Sequence, residues 1–225
     1  KLAPALAAGN TIVLKPSERS PLTAVRLAML AQLAMIPDGV INVVLGYGHE
    51  AGEALALHPK VRAIGFTGST AVGKKMLAYS SQSNLKRVYN ELGGKSAVLV
   101  FNDYANLEHA ATTLAGSMFY NQGQSCNAPS RILVHTNIAD EFTKLLIKRA
   151  PLHQPADPLL LSTNMGAVVD KKHMERVLSY IECGKQEGAN CLVGGKQTLV
   201  NSGGYYLEPT IFDNVNPQMK IAQEE

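Results

Sequence analysis

The first third of the chain alternates short apolar runs with longer amphipathic segments. "TIVLKPSE" opens with an apolar run that predicts a strand over residues 11–14. "SPLTAVRLAMLAQLAMIPDG" then predicts a helix, with Ser20 as its N-cap and Pro21 as its first residue. Leu22, Val25, Met29 and Leu33 share one apolar face of that helix, and Pro37 and Gly39 end it. "VINVVL" reads as a buried-type strand, "HEAGEALALH" as a short helix, "VRAIGF" as a strand ending at Phe66, and "AVGKKMLAYS" as another helix. Strands alternating with helices imply a parallel sheet with right-handed crossovers. The fold class is therefore α/β, Rossmann-like, doubly wound or close to it.

After "KRVYNELGGKSAVLVF" the texture changes. "LEHAATTLAGSMFY" predicts a helix that runs into "NQGQSCNAPSR", and "SRILVH" a strand beyond it. "IADEFTKLLIKRA" is amphipathic, with Asn137 as its cap. "PLHQPADPLLLSTNMG" is proline-rich and reads as a loop. "DKKHMERVLSYIECGKQEG" predicts a long surface helix closed by glycine, and a strand is expected near Thr210. Gly93-Gly94 marks the candidate boundary between two α/β domains, residues 1–93 and 94–225.

Composition narrows the function classes. With 46% apolar and 17% charged residues, the 225-residue chain has the make-up of a soluble globular protein. Its net charge of +3 is scattered, so no nucleic-acid partner is expected. No apolar run approaches the ~20 residues of a membrane span. Three widely spaced cysteines argue against a disulfide framework and for a reducing, cytoplasmic setting. No Cys-x-x-Cys or His-Glu-x-x-His is present, so no metal site is expected. The chain begins at Lys1 without a methionine and stops at "IAQEE", which reads as an internal piece of a longer polypeptide.

Several residues are placed for chemistry. In "FTGSTAVG", Gly68 and Ser69 sit in a turn that opens a helix, with Gly73 inside it, an arrangement suited to phosphate. "GYGHEAG" also joins a strand to a helix, but its spacing is one residue too long for the dinucleotide fingerprint. Either turn is equally explained as a tight connection that needs glycine. Lys15 and Glu18 lie just past the carboxyl end of the first strand, where parallel sheets bind ligands; a solvated loop pair is the alternative. Glu91, beside the glycine pair, suits a general base if an apolar cleft raises its pKa, or a simple pair with Lys95. Cys126 lies between a helix end and a strand start, where a scaffold presents reactive groups. A nucleophilic thiolate there requires donors other than the preceding helix C-terminus, and a buried structural cysteine is the competing reading. Cys183 and Cys191 read as structural.

Taken together, "KLAPALAAGNTIVLKPSE", "FTGSTAVG", "ELGGKS", "NQGQSC" followed by "SR", and "IAQEE" resemble the aldehyde dehydrogenase superfamily in order and spacing, over essentially the whole chain. The resemblance implies NAD-dependent oxidation of a small-molecule aldehyde to an acid. By that analogy Cys126 attacks the aldehyde to form a thiohemiacetal and then a thioester. The Cys126 backbone N–H would help to hold the oxyanion, and Glu91 would activate the hydrolytic water. The coenzyme would fall to residues 1–93: Lys15, Ser17 and Glu18 near the adenosine ribose, Gly48, Gly52 and Val72 along the adenine, Phe66, Gly68 and Ser69 at the pyrophosphate turn, and Leu92. Glu225 would reach the nicotinamide ribose. Glu18 favours NAD over NADP, because a 2′-phosphate would meet a carboxylate.

The family's oxyanion asparagine is expected upstream of Lys1, and the chain alone is expected to be inactive. Pro129 replaces the glycine usual after the cysteine and stiffens that turn. "GYGHEAGEAL" and "LKRVYNELGGKSAVLVFND" look like the bacterial γ-glutamyl-γ-aminobutyraldehyde dehydrogenases, which points to amino- and acylamino-aldehydes of polyamine breakdown. Family analogy implies a homodimer or homotetramer of the whole protein. A catalytically inactive homologue would be free to lose Cys126 or Glu91, and both are present. A cysteine hydrolase needs a histidine partner, for which no motif exists.

Overall fold

The computed structural model describes residues 1–224 and divides into two compact units, Lys1–Leu92 and Gly93–Glu225. The first unit runs α1 (Leu2–Ala7), β1 (Ile12–Leu14), α2 (Leu22–Leu33), β2 (Ile41–Val43), α3 (Glu53–Leu57), β3 (Ala63–Gly68), α4 (Thr70–Gln82) and β4 (Arg87–Leu92). β1 and β2 pair in parallel, Ile12 opposite Ile41 and Leu14 opposite Val43. β3 and β4 pair in parallel, from Ala63 opposite Arg87 to Gly68 opposite Leu92. The expected α/β class with parallel strands is therefore present, built from two-stranded pairs among the described residues.

The second unit contains β5 (Ala97–Val100), α5 (Leu107–Phe119), β6 (Arg131–Val134), α6 (Ala139–Arg149), α7 (Lys171–Gln186), β7 (Asn190–Val193), β8 (Gln197–Thr198), β9 (Tyr206–Leu207), β10 (Ile211–Asp213) and α8 (Lys220–Gln223). β5 and β6 are parallel, while β7–β10 and β8–β9 are antiparallel. Its main core joins Val100, Ala111, Ala115, Phe119, Phe142 and Leu146, so α5 and α6 cover one face of β5–β6. Val168, Met174 and Leu207 form a second, smaller core. Among the described residues no helix is long and apolar enough to cross a membrane.

Several local expectations change. Pro21, not Ser20, occupies the cap position of α2, and no side chain caps it. Ser20 is held in the preceding turn, its N–H bonded to the Ser17 carbonyl at 3.2 Å. The expected apolar face of α2 holds only at Val25, which is half-buried; Met29 is exposed, and Leu22 and Leu33 are 80% and 75% exposed. Ala31 is buried, Ala24 and Ala28 are half-buried on the same side, and α2 packs against β2. Small side chains let the helix approach the strand closely, which Leu and Met would prevent. α6 starts two residues after Asn137, with Ile138 at its cap position and no side-chain cap; Asn137 lies in a 3-10 turn, Thr136–Ile138, capped by His135, whose ring accepts the Asn137 N–H at 3.2 Å. The helix expected over "HEAGEALALH" begins with a π-helical turn, Gly48–Gly52. The glycine closure of α7 is observed, with Gly188 at φ +97°.

Lys86 is buried in the first unit. Its ammonium donates to the Ala56 carbonyl at 2.5 Å and to Ser83 Oγ at 2.6 Å. Ser80 Oγ donates to the Lys86 carbonyl at 2.6 Å, so β4 is fastened to the ends of α3 and α4. Burial pushes the Lys86 ammonium below the ordinary lysine value of 10.5. Between the depressed folded pKa and 10.5, the unfolded chain holds a proton that the folded chain does not. Stability therefore rises with pH across that window. Denaturant unfolding of the first unit over an alkaline series should show this rise, and Lys86→Met should remove it. An unchanged pH slope in the variant would assign the effect elsewhere.

Candidate functional site

In the first unit the carboxyl ends of β1 and β3 carry the two sequence-predicted clusters. Lys15 follows β1 immediately, and its ammonium donates to the Pro16 carbonyl at 2.7 Å and the Gly46 carbonyl at 2.9 Å. It also faces the Glu18 carboxylate at 3.5 Å. A backbone hydrogen bond at Glu18 and then the Lys15 ammonium hold that carboxyl below the usual glutamate range, outweighing desolvation. Glu18 is thus an anion at neutral pH. Ser17 Oγ accepts the Arg19 N–H at 3.2 Å and shapes the turn between them. A cavity of about 250 Å³ lies here, lined by Pro16, Ser17, Glu18, Leu45, Gly46 and Tyr47.

The glycines of "GYGHEAG" have distinct roles. A side chain at Gly52 would sit 3.6 Å from the Lys15 stem, in ordinary contact, and one at Gly48 would meet nothing. Gly46, the first glycine of the run and not among the expected coenzyme contacts, has φ +148° and would place a Cβ 2.9 Å from that of Ala51. It is the glycine this turn cannot replace.

β3 continues two residues past the expected end at Phe66, because Phe66, Thr67 and Gly68 pair with Asn90, Glu91 and Leu92. Gly68 therefore belongs to the strand and not to the turn. A Cβ on Gly68 would lie 2.6 Å from the Phe66 ring, so the ring folds over the glycine. Ser69 caps α4, its Oγ accepting the Val72 N–H at 3.4 Å. At Gly73 a Cβ would strike Leu92 at 2.7 Å, so the glycine lets α4 close onto β4. Phe66, Gly68, Ser69, Val72 and Leu92 thus meet around one βα junction. The helix N-terminus there presents a partial positive charge.

Glu91 is exposed on β4, on the same side as Arg87 and Tyr89, opposite Thr67. The apolar cleft expected around it is not formed by the residues of its own unit. Glu225 lies outside the described residues.

In the second unit Cys126 is an exposed free thiol. α5 ends at Phe119, and a turn through Tyr120–Gly123 reverses the chain. Asn121, Gln122 and Gly123 take left-handed conformations, with φ of 49°, 58° and 73°. For two non-glycine residues this costs about 1–3 kcal/mol each, to be offset by surrounding bonds. The Ala128 N–H returns to the Ser125 carbonyl at 2.9 Å, closing a turn around the cysteine. Ala128 and Pro129 are buried, and Arg131 Nε donates to the Lys95 carbonyl at 2.9 Å as β6 begins. A cavity of about 610 Å³ is lined by Ser125 and Asn127, the two chain neighbours of Cys126, with Val98, Leu114, Tyr120 and Pro129. Pro129 is thus part of a wall, a role consistent with a stiffened turn. The sequence drew no attention to Tyr120 or to the amides around Gly123. The run "NQGQ", four uncharged turn-formers between a helix and a strand, was the available signal.

The two units thus hold an exposed free thiol and a glycine-closed βα junction at the end of a parallel pair. The aldehyde dehydrogenase family profile matches residues 1–225. The chain belongs to the aldehyde dehydrogenase family. It is 50% identical over its full length to the NADP/NAD-dependent aldehyde dehydrogenase PuuC of Escherichia coli, covering 45% of that protein. Among solved structures, it superposes with a TM-score of 0.98 on an indole-3-acetaldehyde dehydrogenase of P. syringae in complex with NAD+, at 52% identity and over 46% of that chain. A γ-glutamyl-γ-aminobutyraldehyde dehydrogenase of Burkholderia cenocepacia matches with a TM-score of 0.96 and 53% identity, over 45% of its length. The aldehyde dehydrogenase chain therefore spans a little under half the length of the relatives it matches.

Proposed function

We propose that this chain carries the coenzyme-binding part, residues 1–93, and the thiol part, residues 94–225, of an NAD-dependent aldehyde dehydrogenase. The observation that carries the reading is the Cys126 thiol, free and exposed after a turn held in left-handed conformations, with its neighbours Ser125 and Asn127 lining a cavity of about 610 Å³. NAD, when bound, supplies the hydride acceptor. The residues of the first unit fit a dinucleotide. Lys15 and the anionic Glu18 suit ribose hydroxyls, and Gly68, Ser69 and the N-terminus of α4 suit a pyrophosphate. Ser17, Gly48, Gly52, Phe66, Val72 and Leu92 shape those two places, and Glu225 completes the nicotinamide side.

Cys126, as thiolate, forms the bond to the aldehyde carbon, and its own backbone N–H supports the oxyanion. After loss of hydride the acyl group is held on sulfur as a thioester. Glu91 takes a proton from the water that hydrolyses it, releasing acid and thiol. We assign the substrate to amino- and acylamino-aldehydes of polyamine breakdown, supported by the similarity to the B. cenocepacia enzyme and to PuuC. A cytoplasmic homodimer or homotetramer of the whole protein completes the proposal.

NADH formation by the polypeptide that carries this chain tests the reading. γ-Glutamyl-aminobutyraldehyde, aminobutyraldehyde, indole-3-acetaldehyde and a plain aliphatic aldehyde should be compared. The highest kcat/KM is expected with the first. A preference for indole-3-acetaldehyde would overturn the substrate class, and no turnover with any of them would overturn the activity.

A further inference from the structure

We propose that Gln124 is a positioning residue that fastens the Cys126 turn to the segment leading into α7. The proposal rests on Cys126 being the nucleophile, and its geometry lies wholly within the second unit. Three consecutive left-handed residues, Asn121 to Gly123, precede Gln124, and two of them are not glycine. A turn of this kind persists only where neighbouring bonds over-determine it.

Gln124 supplies those bonds in two directions. Its backbone N–H donates to the Asn121 carbonyl at 3.0 Å, and its side-chain Nε2 donates to the same carbonyl at 3.1 Å. Its Oε1 accepts the backbone N–H of Val169 at 3.1 Å, across 45 residues of sequence. The receiving segment is itself pinned. Val168, 5% exposed, packs with Met174 and Leu207, and its N–H donates to the Tyr205 carbonyl at 2.8 Å. Asp170 caps α7 through the His173 N–H at 2.8 Å. One amide side chain therefore ties the strained turn to a fixed anchor, two residues before the reactive sulfur. An amide fits this position because it must donate on one side and accept on the other.

The test uses the polypeptide that carries this chain, with Cys183→Ser and Cys191→Ser, and Cys126 labelling is read from its own peptide by mass spectrometry. Gln124→Met keeps the length and loses all three side-chain bonds, to the Asn121 carbonyl, Gln122 Oε1 and the Val169 N–H, whereas Gln124→Glu keeps the acceptor for Val169 and loses the donor. In Gln124→Met, amide exchange at Val169 should accelerate and the rate of Cys126 alkylation by iodoacetamide should change. The kcat for aldehyde oxidation should fall about tenfold or more, the effect expected when a reacting group is displaced by a fraction of an ångström. NAD affinity should stay within about twofold, since none of the described residues assigned to the coenzyme touches Gln124. Gln124→Glu should retain the Val169 protection and part of the kcat. Faster exchange at Val169 with unchanged Cys126 alkylation and kcat would overturn the proposal, leaving Gln124 as a support for α7 alone. Unchanged exchange would overturn it as well. If the parent protein oxidises no aldehyde, the functional reading fails separately, and Val169 exchange with Cys126 alkylation still decides the positioning role.

Discussion

Replacing Cys126 by serine is expected to lower aldehyde oxidation by the parent polypeptide at least about a thousandfold, while leaving NAD binding within about twofold. The reasoning is chemical. At neutral pH a cysteine already has a few per cent thiolate and is intrinsically nucleophilic, whereas a serine hydroxyl needs an adjacent base. The residues flanking Cys126 supply none: Ser125 and Asn127 are neutral, and the next turn consists of Ala128 and Pro129. A serine here would keep the hydrogen bonds of the turn, because the Ala128 and Gln124 bonds involve backbone and amide groups and not the sulfur. The substitution therefore isolates nucleophilicity from folding. The measurement pairs steady-state NADH formation with NAD titration of the same preparation. Turnover within tenfold of the unmodified protein would remove Cys126 from the chemistry and with it the proposed thioester. Loss of both turnover and NAD binding would instead indicate damage to the fold.

Much of the architecture was legible because it depends on local pattern. Strands β1, β2 and β3 and helices α4, α5, α6 and α7 announce themselves by periodicity and punctuation, whereas β4 was not assigned from the sequence. What failed was orientation. On α2, Leu22, Met29 and Leu33 were expected inward, yet they are exposed here and Ala31, with Ala24 and Ala28 half-buried beside it, is the covered position. A periodicity states that a helix has faces, and the neighbour decides which face is used.

The candidate site divides along the same line. Lys15 with Glu18, and Gly68 with Ser69, were identifiable because their place at strand ends follows from the order of elements. Gly46 and Gln124 were not. One is required by a contact with Ala51 and the other by a bond spanning 45 residues, and neither is encoded in local spacing. Glu91 illustrates a further limit. It was read only as a carboxylate beside the glycine pair, whereas it lies on β4 and is exposed within its own unit, so neither strand nor burial was read from adjacent residues.

Phe142→Ala should produce the largest stability change in the second unit, about 3–5 kcal/mol. Phe142 is fully buried on α6, in the core that includes Ala111 and Ala115 of α5. Alanines cannot swing into a vacated space, so the cavity would remain largely open and the cost would lie toward the upper end. Phe142→Leu keeps most of the volume and should cost under about half as much. The consequence reaches the site because Phe119 shares this core and is the last residue of α5 before the left-handed turn. Arg149, at the other end of α6, also ties the two helices, donating from Nε to Thr112 Oγ1 at 2.9 Å. That polar tie should survive the substitution, so the loss will appear first near Phe119 and not along the whole α5–α6 interface. Amide exchange resolves this, since two units need not unfold as one. Protection in α5 and α6 should drop while that of α4 and β4 stays unchanged, with Cys126 alkylation altered before global unfolding begins. Equal loss of protection in both units would show that they unfold as one, and a change under about 1 kcal/mol would mean that this core does not hold the cysteine turn in place.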